Sequence, residues 1–346
     1  MEYKDFSEMP VLWWDPWEET RARWTREGMR PGVDPHTEMG TIRFWINVDV
    51  DLGLRPPFEE EILEETAEHV IRRTGDGTTE KTWKGRSSIP QYIDHALKDS
   101  HSWLEFKKRL QPDPGRLPAD LQQRTEALVA ADELVLINCG SLMGWIRNWM
   151  GLESMSYLIY DDRDTYEDMV RTIADLVCWA VAQMAPRLPV TPDAAIFWED
   201  MCGKTGPLIS PRFFRRFVAP QYLRINEALD AMGVHLVGVD CDGDVSLLVP
   251  EWLESGVNLH MPLEIGTWGA DPMVYRTRYG KELRIVGGID KRELEKGPTA
   301  IDQEIERRMP LLRDGGYVPM PDHYITPQTS LRDFQYYLSR IRDIRV

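Results

Sequence analysis

The stretch GVHLVGVDCDGDVSLLVPEWLESGVNLHMPLE, Gly233 to Glu264, decides the fold. An apolar run made by Val234, Leu236, Val237 and Val239 stops at three aspartates, Asp240, Asp242 and Asp244, set around Gly243. A helix-like segment follows, and a second apolar run, Val257 to Met261, ends in Pro262, Leu263 and Glu264. Two strand-like runs separated by a helix, both finishing in acidic residues, read as consecutive βα units whose charges gather at one edge of a sheet. In α/β proteins that edge carries the chemistry.

The same rhythm extends in both directions. Leu134 to Asn138, Ala194 to Trp198, Leu283 to Gly287 and Tyr317 to Pro319 are each bounded by helical stretches, and Thr41 to Asn47 supplies a first strand with Ile42, Phe44 and Ile46 on one side. Helix signals fall between them: Thr165-x-x-Asp168, Ser210-Pro211 and Ser330-x-x-Asp333 as starts, and Ile301, Ile305, Met309 and Leu312 at helical spacing before Gly315-Gly316. Alternating strands and helices without a linker predict one α/β domain over residues 1–346, a (β/α)8 TIM barrel, with a doubly wound sheet as the second choice. Residues 1–40, with Trp13, Trp14, Trp17 and Trp24, predict an N-terminal helical extension packed on the barrel. Residues 68–93, with the turn Gly75-Asp76-Gly77-Thr78, predict a hairpin insertion.

Composition narrows the partners. With 57 acidic against 41 basic residues, a net charge of −16 disfavours nucleic acid and anionic membranes and suits a soluble cytoplasmic protein, and the partner expected is a small-molecule substrate. Cys139, Cys178, Cys202 and Cys241 form no CxxC pair, so neither a disulfide framework nor a cysteine zinc knuckle is indicated. No apolar run approaches the ~18 residues of a membrane span, and the start lacks a secretory pattern, which places the chain in the cytoplasm.

If the apolar runs are barrel strands, the residues after each share a rim: Asn138 to Ser141, Glu199-Asp200, Asp240 to Asp244, Glu264, Asp290-Lys291 and Asp322-His323. So many carboxylates around one cavity repel one another unless a cation or shared protons offset them. Asp240 and Asp242 fall on one side by strand alternation, and His323 can add a nitrogen, a donor set that suits zinc, manganese or magnesium. The competing reading makes Asp242-Gly243-Asp244 a turn that caps the next helix. A calcium loop fails, because Val245 stands where the sharp turn needs glycine. His235 reads as a packed core residue, His260 could face either way, and neither a nucleotide-binding glycine pattern nor a GxSxG elbow is present.

IFWEDMCGKTGPLISPRFFRRFVAPQYLRI (196–225), the strand ending in DCDGD, Pro262-Leu263-Glu264, LRIVGGIDKRELEKG (283–297) and GGYVPMPDHYITPQTS (315–330) together resemble the uroporphyrinogen decarboxylase superfamily. The resemblance covers about residues 130–345 and implies a (β/α)8 barrel. That superfamily joins the decarboxylase of haem synthesis to corrinoid-dependent methyltransferases. The start, Pro10-Val11-Leu12-Trp13-Trp14-Asp15-Pro16, replaces the arginine-rich motif of the true decarboxylase, and the chain is closer to the methyltransferase-like branch. Its zinc enzymes carry H-x-C-G and a late cysteine. Asp240 stands for the histidine, Asp242 for the first cysteine and His323 for the second, so harder ligands replace thiolates around a divalent metal, zinc first. Glu264 matches an acidic position that could be ligand or base, and Trp145 and Arg147 lie in a loop that faces substrate in the decarboxylase.

The reading that follows is a metal-dependent, methyltransferase-like enzyme in which Asp240, Asp242 and His323 hold the metal. Glu264, His323 and Asp200 act in catalysis, and Arg147, Trp145 and Glu199 bind substrate. A corrinoid, or a corrinoid protein, serves as methyl donor, and a homodimer is compatible with the Trp-rich start. The alternatives are a decarboxylase on a smaller carboxylated substrate and a non-catalytic barrel that binds a corrinoid or small ligand.

Overall fold

The computed structural model of the 346-residue chain describes residues 1–3, 9–41, 47–48, 50–85, 89–266 and 268–345. In chain order its elements are α1 (Glu18–Arg26), α2 (Pro35–Met39), β1 (Glu61–Glu65), β2 (His69–Arg73), β3 (Thr78–Trp83), β4 (Gln91–His95), α3 (Ser100–Phe106), α4 (Leu121–Ala130) and β5 (Leu136–Asn138). Then come α5 (Gly144–Met150), α6 (Leu152–Asp161), α7 (Arg163–Met184), β6 (Ala194–Trp198), β7 (Cys202–Gly203), β8 (Gly206–Pro207), α8 (Pro211–Phe213), α9 (Ala219–Ala231) and β9 (Val237–Asp240). The chain closes with α10 (Val249–Glu254), β10 (Leu259–Leu263), α11 (Pro272–Tyr279), β11 (Arg284–Ile289), α12 (Pro298–Asp314), β12 (Tyr317–Pro321) and α13 (Leu331–Arg342).

Six strands form a parallel sheet in the order β12-β11-β10-β9-β6-β5, and helices fill the connections. Beyond β5 the chain adds a parallel bridge from Val48 to Ile137. Most of the strand expected at Thr41 to Asn47, residues 42–46, lies outside the described residues. One face of the sheet is a single buried cluster that runs from Leu136 of β5 through Ala194, Ile196, Leu259, Met261 and Val286 to Val318 and Met320 of β12, and a separate, larger cluster lies between the other face and the helices. An apolar face buried from one outer strand to the other is the interior expected of a barrel.

Leu12, only 3% exposed, belongs to that interior cluster. Among the described residues of the chain start the helices are α1 and α2; Met9 to Trp17 carry no regular structure, and Leu12 sends its side chain into the barrel. Trp24 stacks on Phe334 of α13 with ring centroids 4.8 Å apart, and its Nε1 donates to the Thr329 carbonyl at 3.0 Å. The insertion is larger than a hairpin. β2 and β3 pair around the turn at Thr74 to Gly77, and β1 and β4 flank them in a four-stranded antiparallel sheet.

Helix starts follow local chemistry. Ser210 and Ser330 accept from the backbone N–H of Phe213 and Asp333. Asp162, rather than Thr165, caps α7, and Asp168 is taken by Trp103 and Lys107 instead. Among the described residues no helix is long and apolar enough to cross a membrane.

Candidate active site

Strand register sets the floor of the site. Asp240 ends β9 opposite Trp198 of β6 and Met261 of β10. The chain then turns through Gly243, whose φ is 92° and where a Cβ would stand 2.6 Å from the Cys202 carbonyl oxygen. Only glycine permits that approach. Two carboxylates grip the turn by its backbone: Asp242 N–H donates to Asp200 Oδ1 at 3.0 Å, and Gly243 N–H donates to Glu264 Oε2 at 2.9 Å. Trp268 Nε1 donates to the same Glu264 oxygen. Asp200 itself takes a left-handed conformation, φ 46°, the kind of local strain that surrounding contacts must hold in place.

The turn aims Asp242 at His323, with Nε2 and Oδ2 3.2 Å apart. On the other side of the ring, Tyr324 N–H donates to His323 Nδ1 at 2.8 Å. An imidazole nitrogen that accepts cannot carry the ring proton, so the proton sits on Nε2 and is donated to Asp242. Asp200, Asp240, Asp242, His323, Tyr324 and Trp198 line one cavity of about 350 Å³, to which Trp14 and Trp17 also contribute.

The carboxyls of this cavity are not alike. Asp240 is pushed well above the usual aspartate range, chiefly by loss of water and then by the charges of Asp242 and Asp200. Asp200 is raised by burial and by Asp242, against the opposing pull of the Asp242 N–H and Arg147. Burial and Asp242 likewise raise Glu264. Among the described residues no side-chain hydrogen bond reaches the Asp240 carboxyl. The arrangement is a set of neighbouring carboxyls that cannot all be ionised, next to an imidazole that holds its proton toward them.

Arg147 enters from α5. It donates to the Asp200 carbonyl oxygen and, from Nε and Nη2, to Asn148 Oδ1 at 3.3 and 3.1 Å, and its guanidinium lies 5.6 Å from the Trp198 ring centroid. Its helix is held by Glu199. This carboxylate accepts from Ser141 Oγ at 2.8 Å, from the N–H groups of Leu142, Met143 and Gly144 at 2.9 to 3.0 Å, and from the Tyr222 hydroxyl. Glu199 is therefore not a substrate ligand: it is 0% exposed and anchors the start of α5.

The structure brings Asp200, Asp240, Asp242 and His323 together, with Arg147 beside them. Glu264 stands behind the Asp242 turn and braces it. Trp145 covers Gly140, with its ring 2.6 Å from where a Cβ would be, and packs beside Trp149 rather than facing the acidic cavity. Asp244 does not cap a helix; its Oδ1 accepts from Ser246 N–H at 3.0 Å within the turn. His235 is exposed and paired to Asp230 rather than packed in the core, while His260 is buried against Trp252. Trp14 and Trp17 were legible only as packing residues, because nothing in a Trp-rich start shows that it bends over a barrel mouth. Tyr324 carried a faint signal as the neighbour of His323.

Residues 148–344 match the family model described as uroporphyrinogen decarboxylase (URO-D), more than half of the chain. The chain belongs to the uroporphyrinogen decarboxylase family. With membership comes the (β/α)8 TIM barrel, of which the parallel sheet forms the core. A solved methyltransferase from Methanosarcina mazei is similar in fold, with a TM-score of 0.59 at 16% identity over 99% of this chain and 95% of that one. Family membership does not decide the donor chemistry of this site, which rests on its own residues. Among the described residues no three His, Cys, Asp or Glu side chains are gathered closely enough to hold a metal ion. To offer Nε2 to a metal, His323 would also have to move its proton to Nδ1 and give up the Tyr324 N–H bond. As arranged, Asp240, Asp242 and His323 fit a proton better than a divalent ion.

Proposed function

We propose that this member of the uroporphyrinogen decarboxylase family is an acid–base enzyme that decarboxylates a small carboxylated substrate. The observation that carries the reading is the Asp242–His323 pair, with its ring N–H directed at a carboxylate, facing Asp200 and Asp240 in a single cavity beside Arg147. Arg147 holds the substrate's anionic group. When the carbon–carboxylate bond breaks, carbon dioxide leaves and the electron pair stays on the substrate carbon, so the substrate must itself delocalise that pair. Asp240 delivers its proton to the carbon and is left ionised. The proton is then restored from solvent, with Asp242 and His323 holding the cavity's charge in register.

A panel of arylacetic and 2-oxo-diacid substrates incubated in heavy water tests this. The expected result is release of carbon dioxide with one deuterium on the product carbon. Asp240→Asn should lower kcat by about 10²-fold or more, and Arg147→Gln should act mainly on KM. Carbon dioxide release unaffected by Asp240→Asn sinks the mechanism.

The second reading is methyl transfer, favoured by the likeness in fold to the Methanosarcina methyltransferase along nearly the whole chain. In that case Asp240, Asp242 and His323, once rearranged, would hold a divalent ion, zinc first, whose chemistry is to activate a methyl acceptor. A corrinoid or corrinoid protein would be the donor. Stoichiometric metal in the purified protein, lost in Asp242→Ala and His323→Ala together with demethylation of methylcobalamin, would promote this reading over the first.

A further inference from the structure

We propose that a second cavity, beside the acidic one, is the subsite for the body of the substrate, and that the substrate is an aromatic carboxylate. The proposal rests on the reading of the acidic cavity as the reaction site and adds the chemical class it takes. The second cavity has a volume of about 710 Å³, twice the 350 Å³ of the first, and Ile89, Trp198 and Asp200 line both. The two are therefore contiguous, with Trp198 as a shared wall.

One side of the larger cavity comes from the antiparallel insertion and the other from α5 and the start of α6. Ile89, Tyr92 and Ile93 on the insertion side are 79%, 50% and 50% exposed, and Leu152 opposite them is 46% exposed. Four large apolar side chains left open to solvent around one hollow mark a surface kept for an apolar ligand, unlike scattered exposed residues. With Trp198 and Tyr92 presenting rings, the matching body is aromatic, since offset or edge contacts between rings add to simple burial.

The charge requirement comes from Arg147. Among the described residues lining the two cavities it is the one lysine or arginine. Three of its five N–H donors are engaged, two on Asn148 Oδ1 and one on the Asp200 carbonyl, which leaves one donor on each terminal nitrogen for a carboxylate. Its contact with the Asp200 carboxyl, Nη2 to Oδ2, is a loose 3.9 Å. A carboxylate here lies where the two cavities meet. The ring then extends under β4 and the carbon that bears the carboxylate faces the acidic cavity.

The wall is fixed in place. Thr78 Oγ1 of β3 donates to the Asn148 carbonyl at 3.3 Å, and His95 of β4 abuts Gly151 between α5 and α6, where a Cβ would stand 2.9 Å from Nε2. The insertion is thus docked on the helix that carries Arg147, and its edge strand β4 sets the length and shape of what fits.

Calorimetric titration of the full-length protein separates the two requirements with three probes: 2-naphthoate, 2-naphthalenemethanol, which has the ring without the charge, and acetate, which has the charge without the ring. 2-Naphthoate should bind at least roughly tenfold more tightly than either of the others. Arg147→Gln should weaken 2-naphthoate by about tenfold, the scale of one charge-assisted hydrogen bond, and leave 2-naphthalenemethanol unchanged. Ile93→Asp and Leu152→Asp, at exposed positions on opposite walls, should each weaken both ring compounds. Acetate binding as well as 2-naphthoate, no binding of any probe, or 2-naphthoate affinity unchanged in both wall variants overturns the proposal. Because no turnover is needed, failure here alongside release of carbon dioxide from other acids would remove the subsite and leave the reaction standing. Tight 2-naphthoate binding with no carbon dioxide released from any arylacetic or 2-oxo-diacid substrate would do the reverse.

Discussion

Two buried carboxyls at the barrel rim, Glu199 and Asp240, take different roles because their surroundings differ. Glu199 receives donors from a serine, a tyrosine and three backbone N–H groups; the serine and the N–H groups form the turn that starts α5, and Tyr222 ties that turn to α9. Glu199→Ala leaves these buried donors without a partner, and the expected loss is about 3 kcal/mol of stability, read from the urea midpoint. Asp240 has no such set, and burial with the charges of Asp242 and Asp200 raises its proton affinity. A raised folded value means that the folded chain binds more protons than the unfolded one. Its stabilising contribution is present in full below the ordinary 3.8 and is lost as pH rises through the folded value. The urea midpoint of the wild type should therefore fall more steeply than that of Asp240→Asn as pH rises above the ordinary aspartate value of 3.8. Equal slopes would show that Asp240 is ionised throughout.

The strand ends that build the site were legible because short apolar runs stop abruptly at acidic residues: Ala194 to Trp198 matches β6 in full, and the runs before Asp240 and Glu264 are β9 and β10 within a few residues. Asp240, Asp242 and His323 could be grouped from that alone. The roles of Glu199 and Glu264 could not, since a rim carboxylate that faces the cavity and one that turns back to bind backbone N–H groups look identical in sequence. The insertion illustrates the same limit. Its central turn showed in Gly75-Asp76-Gly77, but β1 and β4 are exposed strands whose apolar residues stand side by side, Ile62-Leu63 and Tyr92-Ile93, with no alternation to announce them. Gly151, at φ 80° against His95, ties β4 to the helix pair. Gly151→Ala should cost about 1–2 kcal/mol and speed amide exchange in β4 while leaving β11 protected. Equal exchange in β4 would mean that the sheet is held elsewhere.

Across the molecule, the two ends of the chain meet over the barrel mouth. Leu12 fills the interior, Trp17 N–H and Thr20 Oγ1 donate to the Ile325 carbonyl at 3.3 and 2.7 Å, and that loop carries His323 and Tyr324. Leu12→Ala should cost about 2–5 kcal/mol as a buried large-to-small change. Thr20→Val should cost less, about 1 kcal/mol, yet shift the His323 ring signals in nitrogen NMR, because it frees the loop that fixes the ring's tautomer. Unchanged signals would separate the N-terminal clasp from the site. A barrel fold does not by itself set a reaction, so these local contacts decide which chemistry is built. The most direct measurement is infrared spectroscopy of the protein with isotope-labelled aspartate at neutral pH. The acid–base account predicts a carbonyl stretch from a protonated aspartic acid that disappears in Asp240→Asn. Fully ionised aspartates in the wild type, with no band for the substitution to remove, would contradict it.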